Sequence, residues 1–423
     1  MDRRESKVYY WEKGQTMTQF DKSPDRRKTN NVKWNSRAIE SISANPEAQP
    51  FWVADMDFFA DDALIGKAQK VASSGVYGYP VFDDLEKTFA SWLERKHGWK
   101  TGPSTITYSM GLLHGIALAI DCFTKPGDRI VIPSPTYRPF RELCSLSGRI
   151  MEELELDYSD YRFSLDLGKL EEKAENASMI LFCSPQNPTG IVFTEEELEG
   201  VLRIGKKYNI PVLSDEIHAD LVHPGFTHIP MGKANEKVGA KTITFMAPSK
   251  TFNLAGEHSA FAIFSDEEMM KKWKAKQKAL WLDEPGYFIG EMMRTAYTEC
   301  DAYNRELCAY LRMNADYIES YFEEHECGIK KVKGGSSFVT FLDCSAVYDR
   351  IEKKVLSDPE RYKGGEGGGV LSRFFGVEAD VAMNDGTWFG KQFKNFVRFN
   401  FGTNLGEIKS ALERMRKAVE GLE

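Results

Sequence analysis

Ser249-Lys250 follows directly on an apolar run, Thr242 to Pro248, and holds the most reactive side chain suggested by the sequence. A lysine where a buried strand gives way to a loop can form an imine with a carbonyl compound, because desolvation favours the neutral, nucleophilic amine. Taken alone, such a pair is more often a solvated surface charge. The chemical interpretation therefore depends on segments elsewhere in the chain.

Two polar groups follow apolar strands upstream of this lysine. Asp215 ends a strand that begins at Pro211, and a buried carboxylate costs several kcal/mol unless it is paired with a cation. A protonated pyridine nitrogen would be one such cation. Asn187 lies in the loop 184–190, which two prolines make rigid, so it could donate a hydrogen bond to a phenolate oxygen.

Three further segments could complete one binding site. Gly111 stands at a strand-to-helix junction, where free amides and the helix dipole attract a phosphate, although an ordinary turn explains it equally well. Tyr137 could stack on a heteroaromatic ring, but a core tyrosine is the commoner explanation. Arg398, inside an apolar strand, could grip a carboxylate in two parallel bonds or form a structural salt bridge. Together, in this order, the five segments specify pyridoxal 5'-phosphate.

The elements that must position these residues form two patterns. Between residues 104 and 290, short apolar runs alternate with amphipathic segments, which is typical of an α/β domain with a largely parallel sheet. The predicted strands are Thr105 to Tyr108, Arg129 to Pro133, Met179 to Cys183, Pro211 to Ser214, Thr242 to Met246 and Ser259 to Phe264. The rest predicts a smaller α+β domain with a helix-prone stretch, 286–324, and strands 338–344 and 396–401. The glycine-rich stretch 364–369 is interpreted as a flexible loop, and a dinucleotide fingerprint is rejected there.

Composition narrows the possible partners and location. The 423 residues carry a net charge of -8, which argues against nucleic acid as a main partner. The charged first residues lack the apolar core of a signal peptide, and no apolar run is long enough to span a membrane. Seven cysteines without a CxxC pair suit reduced thiols, so we expect a cytoplasmic protein that does not bind membranes. Pro224-Gly225 interrupts the spacing of His218, His223 and His228, and no metal site is predicted.

The chain resembles the fold-type I aminotransferase superfamily in Asn187-Pro188-Thr189-Gly190, Asp215, Ser249-Lys250 and Arg398. It is similar in particular to the MalY/PatB branch of cystathionine β-lyase-like carbon-sulfur lyases. The segments that carry this closer resemblance are Asp25 to Trp34, Trp52 to Phe58, Ser214 to Leu221 and Ser249 to Gly256. The resemblance implies a large PLP-binding domain with a mostly parallel seven-stranded sheet, 51–290, and a smaller α+β domain, 291–423. The N-terminal segment 1–50 is then expected to contribute to the small domain and to the entrance of the active site.

The resemblance also implies residue roles. Lys250 would bind the cofactor covalently, Asp215 would keep the ring nitrogen protonated, and Asn187 would bond O3'. Tyr137 would stack on the ring, Arg398 would bind the substrate α-carboxylate, and Ser249 with the Gly111 and Leu112 amides would hold the phosphate. Tyr79 would reach the phosphate of a neighbouring subunit, which implies a homodimer with shared active sites. Gln186, His218, Glu257 and His258 depart from residues familiar in related families, so phosphate contacts near His258 and the tuning of O3' by His218 stay open.

The preferred function is β-elimination from a sulfur-containing amino acid, giving a thiol, pyruvate and ammonia. An aminotransferase would use the same residues up to loss of the Cα proton, so only the branch-specific segments separate the two outcomes. A cofactor-bound regulatory protein is a lesser alternative from another class.

Overall fold

Seven strands form the central sheet of this computed structural model, which describes residues 9–10 and 16–422. In chain order they are β1 (Ile106–Ser109), β2 (Arg129–Ser134), β3 (Ile150–Glu155), β4 (Met179–Cys183), β5 (Val212–Asp215), β6 (Thr242–Met246) and β7 (Ala260–Phe264). The spatial order is β1-β7-β6-β5-β4-β2-β3. Six of these strands run in the same direction, and β7 runs in the opposite direction between β1 and β6. The predicted α/β fold with a mostly parallel seven-stranded sheet is confirmed.

Both faces of this sheet are covered by helices, which explains the continuous apolar runs in the sequence. In β4, Ile180 and Phe182 pack into the apolar cluster on one face, whereas Met179 and Leu181 pack into the cluster on the other. The helices up to residue 279 are Ser36–Ser43, Asp62–Ser73, Leu85–His97, Leu112–Phe123, Arg138–Leu146, Leu167–Ala174, Glu195–Lys207, Met231–Val238, Pro248–Thr251 and Glu267–Ala279. The sequence of a strand that is buried on both faces therefore does not alternate between apolar and polar residues.

Strand β3 is the one strand of this sheet that the sequence pattern did not predict. It reads Ile-Met-Glu-Glu-Leu-Glu and lies at an edge of the sheet. Edge strands of native proteins carry charges that discourage pairing with another chain. Its three glutamates removed the apolar signal on which the other six predictions were based.

A second, antiparallel sheet contains the predicted C-terminal strands. Its order is β8-β9-β11-β10, where β8 is Lys330–Lys331, β9 is Val339–Asp343, β10 is Asn384–Asp385 and β11 is Phe396–Asn400. The helices of this half are Tyr287–Glu299, Asp301–Glu324, Tyr348–Ser357, Val370–Ala379 and Leu405–Glu420. The predicted helix-prone stretch 286–324 is thus two helices that meet at Cys300. Two short antiparallel ribbons lie outside these sheets: Tyr9–Tyr10 with Thr16–Met17, and Asp157–Ser159 with Arg162–Ser164.

The N-terminal segment joins the C-terminal part of the chain. Gln49–Pro50 pairs in parallel with Val381–Ala382, and the Asn400 amide nitrogen donates to the Phe51 carbonyl. These contacts fit the predicted role of residues 1–50, of which 1–8 and 11–15 lie outside the described residues. The domain boundaries at residues 50 and 290 stay a prediction.

The glycine-rich stretch 364–369 packs tightly against other elements, contrary to the flexible loop that we predicted. A Cβ atom at Gly369 would lie 2.1 Å from the Asp385 carboxyl carbon, and one at Gly368 would lie 2.5 Å from the Ile42 carbonyl oxygen. Close backbone approach, and not conformational freedom, therefore requires glycine at these positions.

Candidate active site

The carboxyl ends of β4, β5 and β6 meet at one edge of the central sheet and bring the predicted polar groups together. In an open α/β sheet, ligands bind in the crevice at this edge. One cavity is lined by eight of the predicted residues, Gly111, Leu112, Tyr137, Asn187, Asp215, His218, Ser249 and Lys250. An adjoining cavity shares Tyr137 and Lys250 and is lined also by Arg398. Of the predicted site residues, all of which lie in the described part of the chain, only Tyr79 lines neither cavity.

Lys250 lies in the short helix Pro248–Thr251 that follows β6, and its side chain is partly buried. Burial, opposed by the negative charge of Asp55 and assisted by the positive charge of Arg398, lowers the pKa of Lys250 to about 8. The Nζ atom donates a hydrogen bond to the Ala54 carbonyl. The neutral fraction of this amine near neutral pH is therefore much larger than that of an ordinary lysine, and a nucleophile or a general base must be neutral.

Asp215 ends β5 as a buried carboxylate without a cationic partner within 4 Å among the described residues. It accepts one hydrogen bond, from the Ile217 amide at 3.0 Å. Burial raises the pKa of Asp215 to about 7. A carboxylate in this state calls for a cation from outside the chain, and a protonated pyridine nitrogen fits that requirement.

We predict that Asp215→Asn makes the cofactor-free protein more stable at pH 8. The native pKa of about 7 exceeds the ordinary value of 3.8, so native Asp215 holds its proton over a pH range in which the unfolded chain has lost it. Stability contributed by this group is thus lost as pH rises from about 4 to about 7. Removing the charge should return on the order of 2 to 4 kcal/mol at pH 8 and almost nothing at pH 4.

Urea unfolding of the two cofactor-free proteins at pH 4.5, 6 and 8 would measure this effect. The variant Asp166→Asn serves as a control, because Asp166 is an exposed helix cap outside the cavity. An equal stability difference between wild type and Asp215→Asn at all three pH values would contradict the prediction.

His218 presents an unsatisfied nitrogen inside the site. Its Nδ1 atom lies 3.1 Å from the Ser337 hydroxyl, while the buried Nε2 atom has no hydrogen-bond partner among the described residues. Burial lowers the pKa of His218 to about 3, so the imidazole is neutral. Buried polar atoms are rarely left unpaired, and this nitrogen is available to a ligand in the cavity.

Arg398 is a buried guanidinium held by neutral groups. It donates to the Asn187 side-chain oxygen at 3.1 Å, the Trp52 carbonyl at 2.6 Å and the Asn384 side-chain oxygen at 2.7 Å. Asn384 stands opposite it in the β10–β11 register. Burial lowers the pKa of Arg398 to about 10, and no carboxylate of the described chain lies within 4 Å. Because a buried charge needs a counter-charge, this cavity suits a carboxylate ligand.

The opposite end of the first cavity is built from the start of the helix Leu112–Phe123. Gly111 caps this helix with a φ of 155°, and a Cβ atom there would lie 2.9 Å from Nδ1 of His114. Ser249 lines the same cavity, and the exposed His258 lies with its ring centroid 5.7 Å from that of His114. Helix-start amides, a hydroxyl and imidazoles form a donor set that suits a phosphate.

Gln186, Glu257 and His258, which differ from the residues familiar in related families, lie in different parts of the site. Gln186 lies in the loop after β4, where its Nε2 atom donates to the Pro135 carbonyl at 2.6 Å and its oxygen accepts from Thr189. It therefore ties the loop that carries Asn187 to the segment that carries Tyr137. Glu257 and His258 line the first cavity as exposed side chains.

Tyr79 is fully exposed and lies outside both cavities. It lines a separate surface depression with Tyr77, Glu257 and Tyr287. Its predicted contact with a phosphate therefore needs a second copy of the chain.

Sequence reasoning missed the groups that hold Arg398, Lys250 and His218 in place. The Trp52 and Ala54 carbonyls, Asn384 and Ser337 contact Arg398, Lys250 or His218. The available signal for these contacts was the segment Trp52 to Phe58, which carries the family resemblance but was not assigned a role. Backbone carbonyls give no residue-type signature, so their contribution is visible only in the fold.

A buried charge network fixes this segment. Asp57 accepts from Arg26 at 2.8 Å, Lys33 at 2.6 Å and the Trp34 indole nitrogen at 3.1 Å. Arg26 also bonds Asp55, at 2.7 Å. These are the residues of the two N-terminal segments that resemble the lyase branch, and the network holds the Ala54 carbonyl beside Lys250.

We predict that Asp57→Ala lowers the free energy of unfolding by about 3 to 5 kcal/mol, because it leaves the buried Lys33 ammonium without its nearest carboxylate. Denaturant unfolding of the cofactor-free protein measures the loss. Asp25→Ala is the control, since the Asp25–Arg27 pair is exposed, and its midpoint should match that of wild type. Equal midpoints for Asp57→Ala and wild type would mean that the network does not stabilise the fold.

Comparison with known families agrees with this geometry. Residues 54–415 match the model of the family described as aminotransferase class I and II. The chain belongs to that family. Cystathionine beta-lyase PatB of Bacillus subtilis (strain 168) is 30% identical over 403 residues, which cover 95% of this chain and 99% of PatB. A cystathionine beta-lyase of Corynebacterium glutamicum is 30% identical, covering 90% of this chain and 96% of that protein.

Among solved structures, cystalysin from Treponema denticola, which contains a pyridoxal 5'-phosphate cofactor, superposes with a TM-score of 0.85. It is 28% identical, and the match covers 96% of this chain and 100% of cystalysin. The predicted membership of the superfamily and of its cystathionine β-lyase-like branch is thereby confirmed for this family member.

Two absences hold for residues 9–10 and 16–422. In that part of the chain no helix is both long and apolar enough to cross a membrane. The same residues contain no cluster of His, Cys, Asp or Glu able to hold a metal ion.

Proposed function

We propose that this chain catalyses pyridoxal 5'-phosphate-dependent β-elimination from sulfur-containing amino acids, giving a thiol, pyruvate and ammonia. The observation that carries the proposal is that Lys250 lines two adjoining cavities. One of them suits the cofactor, and the other is lined by Arg398, which has no carboxylate partner among the described residues. The named cystathionine β-lyases, which align with nearly the whole chain, favour elimination as the outcome.

The donor set fits the cofactor group by group. Lys250 would bind its aldehyde, Asp215 would face the ring nitrogen, and Asn187 and the Nε2 atom of His218 would lie on the O3' side. Tyr137 would cover the ring, and Ser249 with the amides of Gly111 and Leu112 would hold the phosphate. When bound, pyridoxal phosphate supplies the electron sink that makes loss of a Cα proton possible.

The chain's own residues orient the substrate and move its proton. Arg398 binds the α-carboxylate and, with Asn187, fixes the Cα–H bond relative to Lys250. The Lys250 amine, with its pKa lowered to about 8, takes the Cα proton at Nζ. The Cβ–S bond breaks as the sulfur leaves as a thiol, and water completes the conversion of the remaining carbon skeleton to pyruvate and ammonia.

A class I and II aminotransferase is the second candidate, because the family model that matches residues 54–415 carries that description. Both reactions need the same residues up to proton loss. They differ in whether a leaving group on Cβ departs or the amino group is passed to a 2-keto acid.

A single-turnover reaction separates the candidates. Pyruvate and ammonia formed from L-cystathionine without an added keto acid support the lyase. Accumulation of pyridoxamine phosphate from L-alanine, with no pyruvate formed from cystathionine, supports the transferase. Absence of turnover on the order of 1 per second with any such amino acid would favour the lesser alternative, a cofactor-bound regulatory protein.

We further propose a homodimer in which Tyr79 of one copy reaches the phosphate end of the other. The full exposure of Tyr79 and of the apolar neighbours Val76 and Val81 supports this arrangement. Sedimentation of the purified protein measures the oligomeric state, and Tyr79→Ala should weaken cofactor binding without changing the fold.

A cytoplasmic location is supported by seven cysteines that are all free thiols.

A further inference from the structure

The cavity closed by Arg398 has a second arginine at its mouth. It has a volume of about 340 Å³, and its lining includes Lys250, Arg398 and Arg138. Arg398 is buried, whereas about half of the Arg138 side chain is exposed. A substrate that binds Arg398 through its α-carboxylate therefore extends its side chain within a space that contains Arg138.

The Arg138 guanidinium is held by one aromatic ring and one carboxylate. It lies over the Trp388 ring, 5.2 Å from the centroid, and its Nε atom donates to Glu142 at 2.8 Å. Neither terminal nitrogen donates a hydrogen bond to a described residue. These two nitrogens form the planar fork that binds a carboxylate bidentately.

The ring beneath Arg138 is itself fixed. The Trp388 indole nitrogen donates to the Gly367 carbonyl at 2.6 Å, so the tightly packed glycine-rich stretch anchors it. Phe389, the next residue, lies under Arg398 with the guanidinium carbon 5.0 Å from its centroid. Consecutive aromatic residues of one short helix, Gly386–Phe389, thus support two guanidinium groups that line the same cavity.

This arrangement is pre-organised for a ligand with two anionic ends. An arginine that is already stacked and bonded through Nε loses little side-chain entropy when it binds. Glu142 occupies only the Nε edge of Arg138, so the terminal fork needs no rearrangement to accept a carboxylate.

We propose that Arg138 is a specificity-determining residue that binds a carboxylate at the far end of the substrate's sulfur substituent. The preferred substrates are then sulfur amino acids with a second, distal carboxylate. This inference rests on the proposed function, because it assigns the side-chain end of the substrate of that site.

Two isosteric substrates test the assignment. S-(3-carboxypropyl)-L-cysteine carries the distal carboxylate, and S-(3-carbamoylpropyl)-L-cysteine replaces it with a neutral amide. Arg138→Gln should lower kcat/KM for the carboxylate substrate by about tenfold. This is the lower end of the range expected for losing a hydrogen bond to a charged group, because the Arg138 side chain is half-exposed. The amide substrate should change by less than about twofold, and Arg138→Lys should restore part of the loss.

Arg141→Gln is the matched control. Arg141 lies on the same helix, bonds Glu153 and does not line the cavity, so both substrates should keep their wild-type kcat/KM. An equal fall for carboxylate and amide substrates with Arg138→Gln would show a structural role and overturn the proposal. Unchanged values for both substrates would overturn it as well.

A binding measurement separates this inference from the proposed reaction. α-Methylated forms of the two compounds have no Cα proton and cannot react, and their dissociation constants can be read from the visible absorption of the holoenzyme. Tighter binding of the carboxylate form, lost in Arg138→Gln, supports the assignment even if the enzyme fails to eliminate. Equal affinities for the two forms in wild type would sink it whatever the reaction.

Discussion

Replacing Lys250 with alanine is expected to lower kcat of the pyridoxal phosphate-loaded enzyme by about 10³-fold or more, the size of a lost general base in a site that also depends on a nucleophilic amine. No other lysine lines the cavity that holds Asp215 and Asn187. Single-turnover formation of pyruvate, followed by stopped flow or chemical quench, measures the effect. Cofactor content should be measured in the same samples, because the variant can bind the cofactor only through non-covalent contacts.

Lys241→Ala is the control for this experiment. Lys241 directly precedes strand β6, at the end away from Lys250. It is exposed, and its side chain donates a hydrogen bond to Asn209. It should retain wild-type kcat. If Lys250→Ala kept more than a tenth of wild-type activity at full cofactor occupancy, Lys250 would not be the base.

Arg398→Ala is expected to lower kcat/KM by about 30- to 1,000-fold, which corresponds to about 2 to 4 kcal/mol for a desolvated charge pair with the α-carboxylate. The loss should appear mainly in KM, since the proposed role of Arg398 is to bind the substrate and Arg398 lies outside the cavity that fits the cofactor. Initial rates over a wide range of cystathionine concentration, with cofactor occupancy read from visible absorption, separate the two quantities.

Arg414→Ala gives a matched control for the loss of a partly buried guanidinium. Like Arg398, Arg414 donates to neutral acceptors, the Ala379 carbonyl and the Gln49 side chain, but it lines neither cavity. Its kcat/KM should remain within about twofold of wild type. Loss of the cofactor from Arg398→Ala, with unchanged cofactor in Arg414→Ala, would assign Arg398 a structural role instead.

The parts of the fold that were predictable are those that are buried on both faces. Strands β4 and β6 were predicted to the residue, because uninterrupted apolar runs between turn residues leave few alternatives. Strand β3 was missed because an edge strand exposes charge, and the glycine-rich stretch was misinterpreted because its glycines serve close packing. Sequence alone does not reveal which distant backbone a glycine must approach.

The site was predictable where its residues follow a strand. Asp215, Asn187 and Lys250 converge because the carboxyl ends of neighbouring parallel strands share an edge. The partners of Arg398 come from residues 52, 187 and 384, and such distant contacts leave no periodic signal. The role of Tyr79 stays a prediction, because the phosphate that it is predicted to contact would lie in a second copy of the chain.

The carbonyls of residues 52 to 55 have a consequence for how a cell makes this enzyme. Trp52 binds Arg398, Ala54 binds Lys250, and the Val53 and Asp55 carbonyls accept from Asn400. These contacts join the beginning, the middle and the end of the chain. A nascent chain therefore lacks this clasp until strand β11 has left the ribosome, and the segment that holds Lys250 is fixed only then.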